Sequence, residues 1–259
     1  MDLMRRDQGV AYSTCSRVQA PTIIDNLIAQ QGMKNTFSLC MTETGGQLYL
    51  GEEPSANGAS IQYTPIVDEL YYNVLITDIL LQGKSIGVPQ YYYNVGGASV
   101  DSGTSDLILP EEAYRALADA VFQLCVAGHN LVGTCSEPPD SRLFDARCVS
   151  MTESEVQQYP EITIVLNGGV YLNILPEDWI VKGYCEDEDL YAIAIDPIPA
   201  EYGTILGDTF MRNRVTIFDR EVGRPLFFYG GQYTYSFYYV VNYALQNSRL
   251  GFFSTKVCE

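Results

Sequence analysis

The chain has 259 residues, enough for one large domain or two small ones, and 47% of them are hydrophobic, enough to bury a core. Aspartate and glutamate outnumber lysine and arginine 32 to 15, for a formal net charge of -17 with no basic cluster, which argues against binding to a phosphate backbone and so against a nucleic-acid partner. The same acidity suits a protein working at low pH, where protonation relieves self-repulsion.

Taken in chain order, "APTIIDNLIAQQGMKN" from Ala20 predicts a short amphipathic helix with an apolar stripe at Ile23, Leu27 and Ile28 and a stop at Gly32. "TFSLCMT" and "GQLYLGEE" read as strands joined by a Gly-Gly turn, and "YTPIVDELYYNVLITDILLQGKSI" as longer strands ending at "QGK". Tyr91, Tyr92 and Tyr93 fit exposed strand aromatics or residues at a cleft edge. "PEEAYRALADAVFQLCV" is the strongest helix, with Pro110 in its first turn, Glu111 and Glu112 complementing its dipole, and an apolar face at Tyr114, Leu117, Ala118, Val121 and Phe122. A loop-rich span follows, then strands at "EITIVLNGGVYLNI", a helical turn at "LPEDWIV", a strand at "LYAIAI", and two further segments, "GTILGDTFMRNRVTIFDRE" and "SRLGFFSTKVC". Many short strands with few helices place the chain in the all-β class.

Pro225 to Ser248 carries no charge and is rich in tyrosine. Its composition favours a β-hairpin turned at Gly-Gly; a membrane segment and inserted non-domain sequence are the alternatives.

Seven cysteines occur, at positions 15, 40, 125, 135, 148, 185 and 258, with no Cys-x-x-Cys pair and a single histidine, His129. That spacing gives no support to a zinc site, and no metal or other cofactor is expected. Scattered cysteines read instead as disulfides of an oxidising compartment, with one thiol left over. The start, "MDLMRRDQGVAYSTCSR", has no apolar signal-peptide core. The two observations agree if an upstream portion is missing, which makes residues 1–19 a truncated remnant or a disordered start.

The chemistry-bearing stretch is "SVDSGTSDLILP". By itself Asp-Ser-Gly-Thr is a turn. Here an apolar strand precedes Asp101, Gly103 allows a close backbone approach, and the hydroxyls of Ser102, Thr104 and Ser105 can fix a carboxylate. The stretch resembles the second catalytic Asp-Thr/Ser-Gly-Thr/Ser motif of the pepsin-like (A1) aspartic endopeptidases. "TILGDTFMRNRVTIFDRE" is similar to that family's Leu-Gly-Asp strand and turn, "SRLGFF" to its closing strand, and "PTIIDNLIAQQGMKNTFSLCM" to the helix and crossover strand that end its first lobe. The ordered match, from about residue 20 to Cys258, implies the C-terminal lobe of a bilobal acid protease over residues 20–259, including the end of the first lobe, with the Tyr-rich segment at 225–248 as an insertion.

In that family two carboxylates share a proton: one activates a water that attacks the scissile carbonyl, the other polarises the carbonyl. The resemblance therefore implies Asp101 as one catalytic carboxylate, Gly103, Thr104 and Ser105 as substrate-binding, and Ser102, Leu206, Gly207 and Asp208 as supporting, with Asp208 positioning its turn. Cysteine order resembles the memapsin or beta-secretase-like branch, implying Cys40–Cys258 and Cys148–Cys185; Cys125–Cys135 would close a small loop and leave Cys15 odd. No second Asp-Thr/Ser-Gly occurs in the 259 residues. The implied function is aspartic endopeptidase action on a polypeptide, with the other acid supplied by an N-terminal lobe in cis or trans, or, ranked second, by a homodimer. The alternative is an inactive lobe serving as an interaction module or an incomplete gene product. Disulfides and family together imply the secretory pathway, the endolysosomal or vacuolar lumen or the extracellular space, with a membrane tether allowed in a longer product.

Overall fold

The structure is a computed structural model, and it describes residues 21–42, 45–52, 54, 60–68, 71–135, 143–221 and 248–254. Cys15, Cys258, residues 136–142 of the loop-rich span and all but Ser248 of the Tyr-rich segment lie outside those residues, as does the stretch up to residue 20.

The elements in order are α1 (Ile23–Gln31), β1 (Thr36–Thr42), β2 (Gly45–Leu50), β3 (Gln62–Pro65), β4 (Ile76–Leu81), β5 (Lys84–Ser85), α2 (Gln90–Asn94), β6 (Ala98–Val100), β7 (Leu107–Pro110) and α3 (Glu111–Val126). They continue as α4 (Glu153–Val156), β8 (Ile162–Leu166), β9 (Val170–Ile174), α5 (Pro176–Trp179), β10 (Ile180–Lys182), β11 (Tyr191–Ile193), β12 (Ile195–Ile198), β13 (Thr204–Leu206), α6 (Asp208–Met211), β14 (Arg214–Asp219) and β15 (Arg249–Ser254). The described residues are thus mostly β, with one long helix and several short ones among them, as the many short apolar runs predict. Packing divides it into two compact units, one from the chain up to Val74 together with Met211 onward, the other from Leu75 to Phe210.

In the first unit, β2-β1-β14-β15-β3 form an antiparallel sheet. Phe37 stacks on Phe218 at 4.5 Å, with the edge of Tyr72 against it, and Cys40, Val215 and Ile217 form a second buried cluster on the other face of the sheet. α1 starts at a capping box in which the Thr22 hydroxyl accepts from the Asp25 N–H and the Asp25 carboxylate accepts from the Thr22 N–H. That start turns Ile24 inward and leaves Ile23 exposed, so Ile24 takes the place expected of Ile23 while Leu27 and Ile28 stay half-buried. Gly45 already pairs with Thr42, so the two glycines open β2 rather than make the turn. Cys40 is disulfide-bonded, and its expected partner, Cys258, is outside the described residues.

The second unit holds a mixed sheet, β12-β7-β13-β6, an antiparallel sheet, β5-β4-β8-β9, and the β10-β11 pair. Gln82 and Gly83 link β4 to β5 with φ of 50° and 74°, the two positive values that a tight hairpin turn requires. α3 buries Ala113, Leu117 and Val121, spaced one turn apart, and leaves Phe122 partly exposed, so its inward face is rotated from the expected one; Pro110 ends β7 and flanks the helix. The three tyrosines form α2 and not a strand. Pro89 cannot continue a ladder and starts the helix, the Asn94 amide returns to the carbonyls of Gln90 and Ile76, and the turn sends Tyr93 into the core while Tyr91 stays exposed. Disulfides join Cys125 to Cys135 and Cys148 to Cys185.

Candidate active site

Strand order explains why the Asp-Ser-Gly-Thr-Ser-Asp run is a loop. β6 runs up to Val100 and β7 starts at Leu107, yet the two are not neighbours, because β13 lies between them, parallel to β6 and antiparallel to β7. Residues 101–106 must therefore cross the end of β13, and the residue beneath the crossing is Gly207. A Cβ on Gly207 would collide with the carbonyl oxygens of Thr104 and Asp106, so only glycine permits this approach.

The crossing is secured at several points. The Asp101 N–H donates to the Leu206 carbonyl at 3.1 Å, the Asp208 N–H to the Thr104 carbonyl at 2.7 Å, and the Thr209 N–H to the Ser105 carbonyl at 2.9 Å. The fully buried Thr209 hydroxyl also reaches the Ser105 carbonyl at 3.1 Å and the Ala194 carbonyl at 3.3 Å. Leu206 and Gly207 are buried, and Asp208 opens the short turn α6.

This frame presents the Asp101 carboxylate, half-buried at the tip of β6. Its Oδ1 accepts from the Gly103 N–H at 2.9 Å and its Oδ2 from the Thr104 hydroxyl at 2.9 Å. Each oxygen is thus oriented by a donor two or three residues on. Ser102, Gly103 and Ser105 are exposed around it. All seven expected residues from Asp101 to Ser105 and from Leu206 to Gly207 lie in one unit, with Asp208 beside them.

Sequence reasoning passed over Thr209 and three residues at the far end of the loop. The Tyr184 hydroxyl, from the connection between β10 and β11, donates to Asp106 Oδ1 at 2.5 Å. Asp196, exposed on β12, is held above the usual aspartate range by partial desolvation first, then by the Asp106 charge and hydrogen bonding to the Asp106 side chain. Asp106 follows directly on the motif, but nothing local in the sequence marks residues 78 and 90 positions later as its partners. Among the described residues no group of three or more histidine, cysteine, aspartate or glutamate side chains could hold a metal ion.

The arrangement can hold and orient one carboxylate at a partly open loop, where it could accept or deliver a proton. Comparison with known proteins agrees with that chemistry. A family model described as eukaryotic aspartyl protease matches residues 8–225. The chain is 24% identical over 247 residues to a beta-secretase of Strongylocentrotus purpuratus, covering 82% of this chain and 45% of that protein. It is 27% identical over 228 residues to pepsin B of Canis lupus familiaris, covering 83% and 52%, and 27% identical over 222 residues to gastricsin of Macaca fuscata fuscata, covering 82% and 52%. The chain spans about half the length of these curated relatives. With the family model covering most of its length, and the Asp101 loop folded across the Leu-Gly-Asp segment, the chain belongs to the eukaryotic aspartyl proteases.

Proposed function

We propose that the chain forms a C-terminal lobe, over residues 20–259, that supplies one of the two carboxylates of an aspartic endopeptidase. The observation that carries this reading is the Asp101 carboxylate with a donor on each oxygen, set on a loop tied to the strand beneath it. A single carboxylate does not complete the reaction. When two lie side by side, mutual repulsion keeps one protonated while the other ionises, so one removes a proton from the attacking water and the other polarises the scissile carbonyl. Asp101 is one of that pair, and an N-terminal lobe, in cis or in another chain, brings the second; a homodimer is the less economical form, because it needs two copies of this loop to face each other. Gly103, Thr104 and Ser105 lie along the peptide substrate, with Ser102, Leu206, Gly207 and Asp208 supporting the loop.

The disulfides support a protein of an oxidising compartment, in the secretory or endolysosomal system or outside the cell. A second reading, a lobe that binds without cleaving, is favoured by one observation: Asp-Ser-Gly occurs once in 259 residues. The test is cleavage of an oligopeptide at about pH 4, chosen to favour a singly protonated pair, over a wide range of chain concentration with and without an N-terminal lobe of a family member. Cleavage only when that lobe is present supports the reading; activity rising with the square of chain concentration supports the homodimer; absence of cleavage in every mixture supports the binding lobe.

A further inference from the structure

β8 is buried along its whole length and paired on both sides, with β4 and with β9. The turn from β8 into β9 is Asn167-Gly168-Gly169, and both of its ends are fixed. Leu166 faces Val170 across the hairpin, and the Asn167 N–H donates to the Leu75 carbonyl, just ahead of β4, at 2.9 Å. The two glycines take φ of 87° and 74°, values that glycine adopts without steric cost. Inside that closed frame the Gly168 N–H donates to Asn167 Oδ1 at 2.9 Å. The main-chain nitrogen of Gly168 therefore lies beside the side-chain carbonyl of the residue before it.

Asn167 differs from other asparagines of the fold in what surrounds its amide. Asn94 donates through its amide nitrogen to the carbonyls of Ile76 and Gln90, and Asn173 donates to Glu161 at 3.1 Å. Asn130 is exposed, but the residue after it is Leu131, which carries a side chain and whose N–H is taken by Cys135 Sγ at 3.2 Å. At Asn167 the amide NH2 donates to nothing among the described residues, the side chain is exposed to water, and the next residue has no Cβ to crowd an approach. The chain's other Asn-Gly pair, Asn57-Gly58, lies outside the described residues.

We propose that Asn167 is a self-modification site, at which Gly168 closes on the side chain to form a succinimide that water opens to aspartate or isoaspartate. Base removes the Gly168 amide proton, the nitrogen bonds to Asn167 Cγ, the Cγ–Nδ2 bond breaks, and Nδ2 leaves as ammonia with a proton returned by solvent. Water then adds to one ring carbonyl, and the Gly168 nitrogen or the ring-opened end regains its proton. Addition at Cγ leaves an ordinary aspartate; addition at the Asn167 main-chain carbonyl leaves Gly168 joined through Cγ, with one more carbon in the main chain. The sum is one water taken up and one ammonia released. A frame that already holds the reacting atoms together lowers the orientational cost of ring closure. Either product places a negative charge in the turn, and isoaspartate lengthens a turn whose ends are paired at Leu166 and Val170, so the hairpin gives at that pair. Because the attacking nitrogen must first lose a proton, the site is quiet in acid and advances as pH rises.

The experiment incubates the full chain, disulfides intact, in acid and at mildly alkaline pH, then maps its tryptic peptides by mass spectrometry with fragmentation that tells isoaspartate from aspartate. Asn167 falls between Arg147 and Lys182 in a peptide whose other asparagine is Asn173, so the site and an internal control are read together. The expected result is loss of the Asn167 amide at mildly alkaline pH, no slower than in the chain unfolded by guanidinium, with Asn130 and Asn173 unchanged over the same time and Asn167 unchanged in acid. Asn167→Gln, which keeps the amide but needs a larger ring, is expected to abolish the product. Gly168→Ala, whose Cβ crowds the attacking nitrogen, is expected to slow it, and either variant serves if the other does not fold. An Asn167 that stays intact or converts more slowly in the folded chain, equal conversion at Asn130 or Asn173, or conversion undiminished in acid or in either variant overturns the proposal. The inference rests on the β8–β9 turn and not on the role of Asp101, so it and the endopeptidase reading can fail separately.

Discussion

Gly207→Ala is the sharpest perturbation of the site's frame. The added Cβ would press on the carbonyl oxygens of Thr104 and Asp106, which belong to backbone and cannot swing away as a flexible side chain would. Thr104 is further restrained because its carbonyl accepts the Asp208 N–H at 2.7 Å and its own N–H donates to the Asp101 carbonyl at 3.3 Å. Overpacking of a close-packed interior costs about 1–3 kcal/mol, and losing the Asp208–Thr104 bond as the loop lifts adds about 1 kcal/mol. The sum, about 2–4 kcal/mol, lowers the melting temperature by about 2–4 °C per kcal/mol at this chain length. The control is Gly45→Ala, where an added Cβ meets nothing within 4 Å, with an expected change within about 0.5 kcal/mol. Differential scanning calorimetry of both variants and wild type measures the difference. Equal melting temperatures for the two variants would refute the claim that the Asp101 loop rests on Gly207.

Three further outcomes are expected. Reduction of Cys148–Cys185, which spans 37 residues, should destabilise the second unit by about 3–4 kcal/mol on the loop-entropy model, read as a lower urea midpoint in a Cys148→Ser/Cys185→Ser variant. Trp179, fully buried with Tyr159 and Phe144 against it at 5.6 and 6.1 Å, should cost about 3–5 kcal/mol when truncated to alanine, measured by the same titration. Burial opposes ionisation of Asp25, but the Thr22 N–H and hydroxyl and the Arg220 guanidinium outweigh it and hold its carboxyl below the usual range. Its contribution is therefore present above the unfolded aspartate value and lost as pH falls through the lower native one; the stability gap between wild type and Asp25→Asn should be largest near neutrality and close in acid.

The site was legible in the sequence to the extent that its parts are local. Asp101, Gly103 and Thr104 sit within four positions of one another, and the carboxylate's two donors come from that same run. Gly207 could be singled out with Leu206 and Asp208, but the reason for it could not: the glycine is required because β13 is inserted between β6 and β7, and strand order is a non-local property. The same limit hid Tyr184 and Asp196, whose only claim to the site is proximity to Asp106. Helical faces slipped for a smaller reason. In α1 the cap sets the phase of the turn and moves the buried position from Ile23 to Ile24, and in the tyrosine run three adjacent aromatics carry no alternation to distinguish a strand from a turn of helix.

The central claim is that Asp101 is one half of a two-carboxylate centre, and the most direct measurement is peptide cleavage at about pH 4 by the chain combined with a complementary lobe, comparing wild type with Asp101→Asn, each with and without pepstatin. The account predicts pepstatin-sensitive cleavage that disappears in Asp101→Asn while the variant keeps its fold. Undiminished cleavage by Asp101→Asn would contradict it.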